Sequence, residues 1–212
     1  MKPSSFELQI DSLRSRLQGE LPGLKAHLTM APGLRKSPDI LSISKKPCRT
    51  AAVLAVLYPH HDSSFGILLT KRREDLQEHA GQISFPGGRL EQGESLQQAA
   101  LRETEEEIGL SPESINIIGS LSPIYIDVSN FCVHPFVGFL EQPPSSFTIQ
   151  EDEVQKVLEL SIAELASPNN KRSENRVLRG YTVDVPFFYV SKEIVWGATA
   201  MILAELLMVL EG

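Results

Sequence analysis

Apolar residues along this chain fall into two patterns: short, nearly continuous runs of strand length, and longer stretches in which they recur at helical spacing. Thr50 to Tyr58 is apolar almost throughout and reads as a buried central strand. After a polar turn (His60, His61, Asp62, Ser63), Phe65 to Thr70 reads as a second strand, and the charged loop Lys71-Arg72-Arg73-Glu74-Asp75 follows. Gln82 to Phe85 reads as a short strand with Ile83 and Phe85 on one face, closed by a Pro86-Gly87-Gly88 turn. Further strand material lies at Asn116 to Ile126, broken at Ser122-Pro123, and at Phe131 to Leu140, where Pro135 marks an edge or a bulge. Tyr181 to Val190 is strand-like and interrupted by Pro186.

The helical pattern appears four times. Ser4 or Ser5 caps a helix to about Leu17, with Phe6, Leu8, Ile10, Leu13 and Leu17 as an imperfect stripe, ended by Gly19 and Pro22. A second helix runs from about Glu94 to Gly109, a C-cap, and buries Leu96, Ala99, Ala100 and Ile108. Ser161 to Glu164 has the capping-box pattern of a short helix before Pro168. Gly197 to Leu210 is an apolar helix with Glu205 as its one charge, to be buried in the fold or at a subunit interface. Gly23 to Pro47 reads as an arm or long loop, its Arg35-Lys36 pair solvated, and Asn169 to Glu174 as a polar loop. Together these predict an α/β fold in which a mixed sheet is covered on both faces by helices. Residues 1–47 form a helix and arm, and 48–212 the main domain.

Composition changes this picture little. The 212 residues are 42% hydrophobic and 22% charged, as in ordinary globular chains. A net charge of −7 argues against a nucleic-acid backbone as partner, which calls for a basic footprint. Cys48 and Cys132 have neither zinc spacing nor the density of a disulfide framework, and are expected to be buried thiols. With no targeting core at the N-terminus and no run long enough for a membrane span, the expected location is the cytoplasm.

Candidate chemistry sits on the second helix. Glu103, Glu106 and Glu107 lie at i, i+3 and i+4 and share one face, where they repel one another. A divalent cation such as Mg²⁺, which takes oxygen ligands at about 2.1 Å, would use such a face. Arg102 precedes the cluster, and Glu94 lies two turns before it, within reach. With the Gly-Gly turn before it, this arrangement resembles the Nudix box at Gly88, Glu94, Arg102, Glu103, Glu106, Glu107, Gly109 and Leu110. Thr104 stands at a position where that family usually has an aliphatic residue.

The resemblance implies an αβα sandwich and hydrolysis of a nucleoside diphosphate linked to another group, with Mg²⁺ or Mn²⁺. Glu103, Glu106 and Glu107 would hold the metal, joined by the Gly87 carbonyl and by Glu153 (or Glu151) from beyond the box. Glu103 is also a candidate general base, and Arg102 would orient the glutamates with Glu94. Upstream, Leu68-Leu69-Thr70-Lys71-Arg72, Leu76, His79, Gly81-Gln82 and Phe85-Pro86-Gly87-Gly88 resemble the coenzyme A pyrophosphatases of that family. So do Glu153-Val154 and Trp196 to Ala200, while Arg73 and Asn130 depart from the subgroup pattern.

This narrower resemblance, covering about Cys48 to Leu207, implies cleavage of coenzyme A or acyl-coenzyme A to 3′,5′-ADP and (acyl-)phosphopantetheine. Arg72, Lys71, His79 and Gly88 would contact substrate, with Arg72 better suited to phosphate than Lys71, and Trp196 would serve packing. Two alternatives stay open. One is a Nudix hydrolase of ADP-ribose, NADH or a nucleoside triphosphate; the other is a non-catalytic nucleotide-binding domain. A homodimer is expected, using the arm and the apolar final helix as its surface.

Overall fold

The computed structural model of this chain describes residues 5–33, 47–61, 64–76 and 80–212. Its centre is β1 (Arg49–Pro59), the apolar run expected to be a buried strand. Alternate residues of β1 serve two cores. Ala51, Ala55 and Leu57 face one, and Ala52, Leu54, Val56 and Tyr58 face the other. That double burial explains why the segment is apolar almost throughout.

β1 pairs in parallel with β7 (Phe131–Phe139) on one side and antiparallel with β2 (Phe65–Arg72) on the other. β8 (Val154–Ser161) lies beyond β2, and β5 (Asn116–Ser120) and β6 (Ile124–Ile126) share the far edge of β7. β1 and β2 touch only at their hairpin end, Leu57↔Ile67 to Pro59↔Phe65. In the gap where they diverge sit β3 (Ile83–Ser84), bonded to β2, and β4 (Gly87–Arg89), bonded to β1. The Phe-Pro-Gly-Gly segment is therefore wedged inside the sheet, and Gly87-Gly88, expected to be turn, is strand.

Helix α1 (Ser5–Leu17), α2 (Leu24–Met30) and α5 (Gly197–Glu211) cover one face, and α3 (Leu96–Ile108) covers the other. A short α4 (Ile162–Ala166) starts at Ser161, whose Oγ accepts the Glu164 N–H. β9 (Lys171–Leu178), β10 (Tyr181–Val190) and β11 (Glu193–Trp196) form a separate antiparallel sheet that leads into α5. The expected mixed sheet between helices is observed.

Four expectations need correction. Within the supposed arm, Leu24–Met30 is a helix that buries Ala26, His27 and Met30; Arg35 and Lys36 lie outside the described residues. Asn169 to Glu174 is not all loop: Lys171 onward is strand, held through β10 alone and exposed along most of its length, so no alternation marks it. Pro135 sits in an interior strand, at the break where β7 passes from partner β6 to partner β5, and its carbonyl accepts the Leu121 N–H. Cys48 and Cys132 are not thiols but a disulfide: Cys48 immediately precedes β1, diagonal to Cys132 on β7, and their Cα atoms lie 5.7 Å apart.

The apolar final helix is buried inside this chain, not held free for a partner. Ten of its residues, Glu205 among them, are buried. Glu205 accepts the Gly23 and Ser122 amides and lies 2.9 Å from His27 Nε2, so one carboxylate ties α2, α5 and the β5–β6 connection together. Among the described residues no helix is long and apolar enough to cross a membrane.

Candidate active site

Helix α3 begins with a closed cap. Ser95 Oγ accepts the Gln98 N–H and Gln98 Oε1 accepts the Ser95 N–H, satisfying two donors that a helix start leaves free. Gly109, at φ 74°, closes the other end with its N–H on the Glu105 carbonyl. Ala99, Ala100, Thr104 and Ile108 are buried. The Thr104 hydroxyl donates to the Ala100 carbonyl at 2.7 Å, so the residue that stands in an aliphatic position is buried with its polar atom satisfied. The rotation this fixes turns Glu103 and Glu107 into a cleft of about 970 Å³ and leaves Glu106 off its wall, half exposed.

Arg102 organises the acids around it. Its Nε and Nη2 bind both oxygens of Glu94, at 3.1 and 2.9 Å, the pair expected from their spacing. Its Nη1 donates to Glu103 Oε1 and Glu106 Oε2, each at 3.0 Å. Nη2 also reaches the Arg89 carbonyl at 3.2 Å. The guanidinium holds the Glu94 carboxyl below the usual range, and Glu94 in turn raises the guanidinium further above its own.

Gly87 and Gly88 form the wall opposite α3. A Cβ on Gly88 would fall 2.3 Å from the Glu103 carboxylate, so the bare backbone lets that acid stand against β4. Arg72 enters from the third side. A register shift in the β2–β8 ladder between Lys71 and Arg72 marks a bulge, and Arg72 points into the cleft, 3.3 Å from Glu153. The cleft floor is thus Glu103, Glu107, Glu153 and Arg72.

Burial pushes the Glu107 carboxyl up to about 8; Glu103 and Glu153 add to the rise, and Arg72 and the Gly87 N–H oppose it. Burial also raises Glu103, against the pull of Arg102. Glu107 Oε2 is buried and, like Arg72 Nε, has no hydrogen-bond partner among the described residues. A buried acceptor without a donor, in a group of three carboxylates faced by the single Arg72 guanidinium, leaves the floor short of positive charge. An all-oxygen donor set suits a hard divalent cation, so these residues fit one. Among the described residues no three acidic, histidine or cysteine side chains are already drawn into a coordination cluster, since Arg102 holds Glu103 and turns Glu106 outward.

The other expected contacts divide. Lys71 does not reach the cleft wall: it pairs with Glu193 at 3.3 Å and Glu74 at 3.7 Å. Glu151 is exposed, and its carbonyl accepts from Arg73. His79 lies outside the described residues. Trp196, expected to be packing, lines the cleft, with Arg176 4.9 Å from its ring centroid. Arg89 and Phe131 also line it; Arg89 carries no spacing signal in the sequence, and Phe131 stands there as the start of a strand, beside Asn130 in the segment that resembles the subgroup. The rest of the lining includes the apolar Ile126, Val128, Leu178, Tyr181 and Ile202, interleaved with the Asp127–Arg179 ion pair. A smaller cavity, about 430 Å³, between α1, α4 and α5 contains none of the cleft-floor acids.

Residues 48–180 match the family model of the NUDIX domain. Among curated proteins, the chain is 38% identical over 159 residues to an Uncharacterized Nudix hydrolase NudL of Cronobacter sakazakii, covering 74% of this chain and 81% of the relative. It is 39% identical over 143 residues to the protein of the same name from Citrobacter koseri, covering 66% of this chain and 73% of that one.

Proposed function

The chain belongs to the Nudix hydrolase family, and on that premise we propose that it hydrolyses the diphosphate bond of coenzyme A or acyl-coenzyme A, releasing 3′,5′-ADP and (acyl-)phosphopantetheine. The observation that carries this reading is the cleft. At its floor Glu103, Glu153 and Arg72 stand with Glu107, whose buried Oε2 has no hydrogen-bond partner among the described residues. Its lining also includes the apolar Val128, Tyr181 and Ile202, beside the Asp127–Arg179 ion pair. About 970 Å³ is at the top of the range for ligand pockets and suits a long substrate. The signature from Leu68 to Gly88 adds the subgroup, and its Arg72 and Gly88 stand on the cleft wall.

When bound, Mg²⁺ or Mn²⁺ would neutralise the diphosphate and ease deprotonation of water. Glu107 and Glu103 would hold it, with Glu153, Glu106 after a turn away from Arg102, and the Gly87 carbonyl completing the set. Glu103 or Glu153 would take the proton of the attacking water, and carboxylates this close titrate together. Arg102 is a positioning residue that acts through Glu94, Glu103 and Glu106. Arg72, which lines the cleft, would donate to a phosphate oxygen.

The test is product analysis with coenzyme A, acetyl-coenzyme A, ADP-ribose, NADH and dGTP, each with Mg²⁺ or Mn²⁺. Fastest release of 3′,5′-ADP, only with metal, is the expected result. Faster cleavage of ADP-ribose, NADH or dGTP would sink the coenzyme A reading and leave the diphosphatase. Nucleotide binding without turnover would sink both.

A further inference from the structure

The expected phosphate partner Lys71 is occupied by Glu193, yet Arg89 lines the cleft in another place and Arg49, which is not itself on the cleft wall, lies against the same ring as Arg89. Arg49 pairs in register with Phe131 across the parallel β1–β7 ladder, and Arg89 pairs with Ala51 across β1–β4. Residues two apart on a strand share a face, so Arg49 and Ala51 project to the same side as Arg89 and Phe131. Ala51, Arg89, Phe131 and Ser129 are on the cleft wall, which makes that side the cleft side. Arg49 and Arg89 are diagonal neighbours, about 7–8 Å apart at Cα, within reach of long side chains.

Both guanidiniums lie on one aromatic ring, Arg49 at 4.3 Å and Arg89 at 5.4 Å from the Phe131 centroid. Arg49 Nη2 is braced on the Ser129 carbonyl at 2.6 Å. The Cys48–Cys132 bond ties the residues next to Arg49 and Phe131. In a chain of net charge −7, neither arginine has a carboxylate partner among the described residues, whereas Arg72, Arg73, Arg102, Arg176 and Arg179 each have one. Two like charges held on one ring, with most of their donors free, form a site for an anion with several acceptor oxygens.

We propose that Arg49 and Arg89, laid against Phe131, bind a phosphate monoester on the nucleotide half of the substrate. Arg89 is two residues from Gly87, about 7 Å along an extended strand. That span is of the order of the distance between a 5′-diphosphate and a 3′-phosphate on one ribose. The inference rests on the coenzyme A reading for its substrate, where the anion is the 3′-phosphate. It makes these two arginines the residues that separate coenzyme A from dephospho-coenzyme A.

The experiment compares KM for coenzyme A and dephospho-coenzyme A in wild type, Arg49→Gln, Arg89→Gln and the double variant. Binding of 3′,5′-ADP and 5′-AMP is measured by calorimetry without turnover. Wild type is expected to favour the 3′-phosphorylated ligand about tenfold or more in both assays. The single variants should lose much of that ratio, the double variant should bring it toward one, and Arg89→Lys should restore part of it. A wild type that cleaves coenzyme A without preferring it, or variants that weaken both ligands equally, would overturn the proposal. If neither coenzyme is cleaved while 3′,5′-ADP still binds over 5′-AMP in an arginine-dependent way, the anion site stands and the coenzyme A reading falls.

Discussion

Gly87 and Gly88 are neighbours without side chains, for different reasons, and substitution should separate them. At Gly87 the backbone has φ 148°, and a Cβ would meet the Ala52 carbonyl at 2.4 Å and the Val53 Cα at 2.5 Å. Those are main-chain atoms of the central strand, so Gly87→Ala should destabilise the fold sharply, by about 2 kcal/mol or more. At Gly88 the obstacle is the mobile end of Glu103. Gly88→Ala should therefore fold nearly as well as wild type while displacing that carboxylate, with kcat/KM falling about a hundredfold. Equal losses of stability in the two variants, read by thermal melting, would contradict this division. Glu107 admits a sharper test, because its role is argued from a missing charge. Mg²⁺ or Mn²⁺ should raise the melting temperature of wild type progressively, as expected for a ligand that binds only the folded state. Glu107→Gln should remove most of that rise and reduce turnover about a hundredfold or more. A variant that keeps both would take Glu107 out of the cation site.

At the scale of elements, Glu205 joins three segments that are distant in sequence. Ala at this position would leave His27 and two amides unanswered in the core, and Glu205→Ala should destabilise the fold by about 3–5 kcal/mol in chemical denaturation. Burial raises the Glu205 carboxyl, but the donors from His27, Ser122 and Gly23 outweigh it and hold it below the ordinary value. A carboxyl depressed in the folded state contributes stability above its unfolded pKa and loses it as pH falls through the folded one. Part of the acid sensitivity below the ordinary carboxylate range should therefore vanish in Glu205→Gln; an identical pH profile would show that the shift carries no stability. None of this network was legible in the sequence, where Glu205 is one charge in an apolar run. Legibility followed local rules. The Gly109 cap, the face of α3, the Arg102–Glu94 contact and the double-sided burial of β1 all come from spacing within one segment, whereas the Ser95 capping box was not read there. β9 was hidden because its partner is a single strand and its side chains face solvent. β4 was hidden because the Pro-Gly-Gly sequence of a turn is here inserted between two diverging strands. Arg49, Arg89 and Phe131 meet only through the pairing of three strands, which no local pattern announces.

The whole molecule is closed by one covalent bond that its composition did not suggest. Cys48 and Cys132 are 84 residues apart in sequence, and the loop between them holds β1 to β6 and all of α3. Closing a loop of that length removes conformational freedom mainly from the unfolded chain, which typically stabilises the folded state by about 2–4 kcal/mol. The native side is set independently: nine register pairs from Arg49↔Phe131 to Leu57↔Phe139 hold the two strands together with or without the bond. Reduction should therefore leave the fold and the cleft in place and lower the denaturation midpoint. Such bonds are uncommon in reducing compartments, so the reduced form is the one to compare. Urea titrations with and without dithiothreitol, alongside Cys48→Ala/Cys132→Ala, should give a lower midpoint for reduced protein and for the double variant alike, with folded spectra unchanged before the transition. A midpoint indifferent to reductant and equal in the double variant would mean that the bond contributes no stability, and that the β1–β7 ladder alone aligns Arg49 with Phe131.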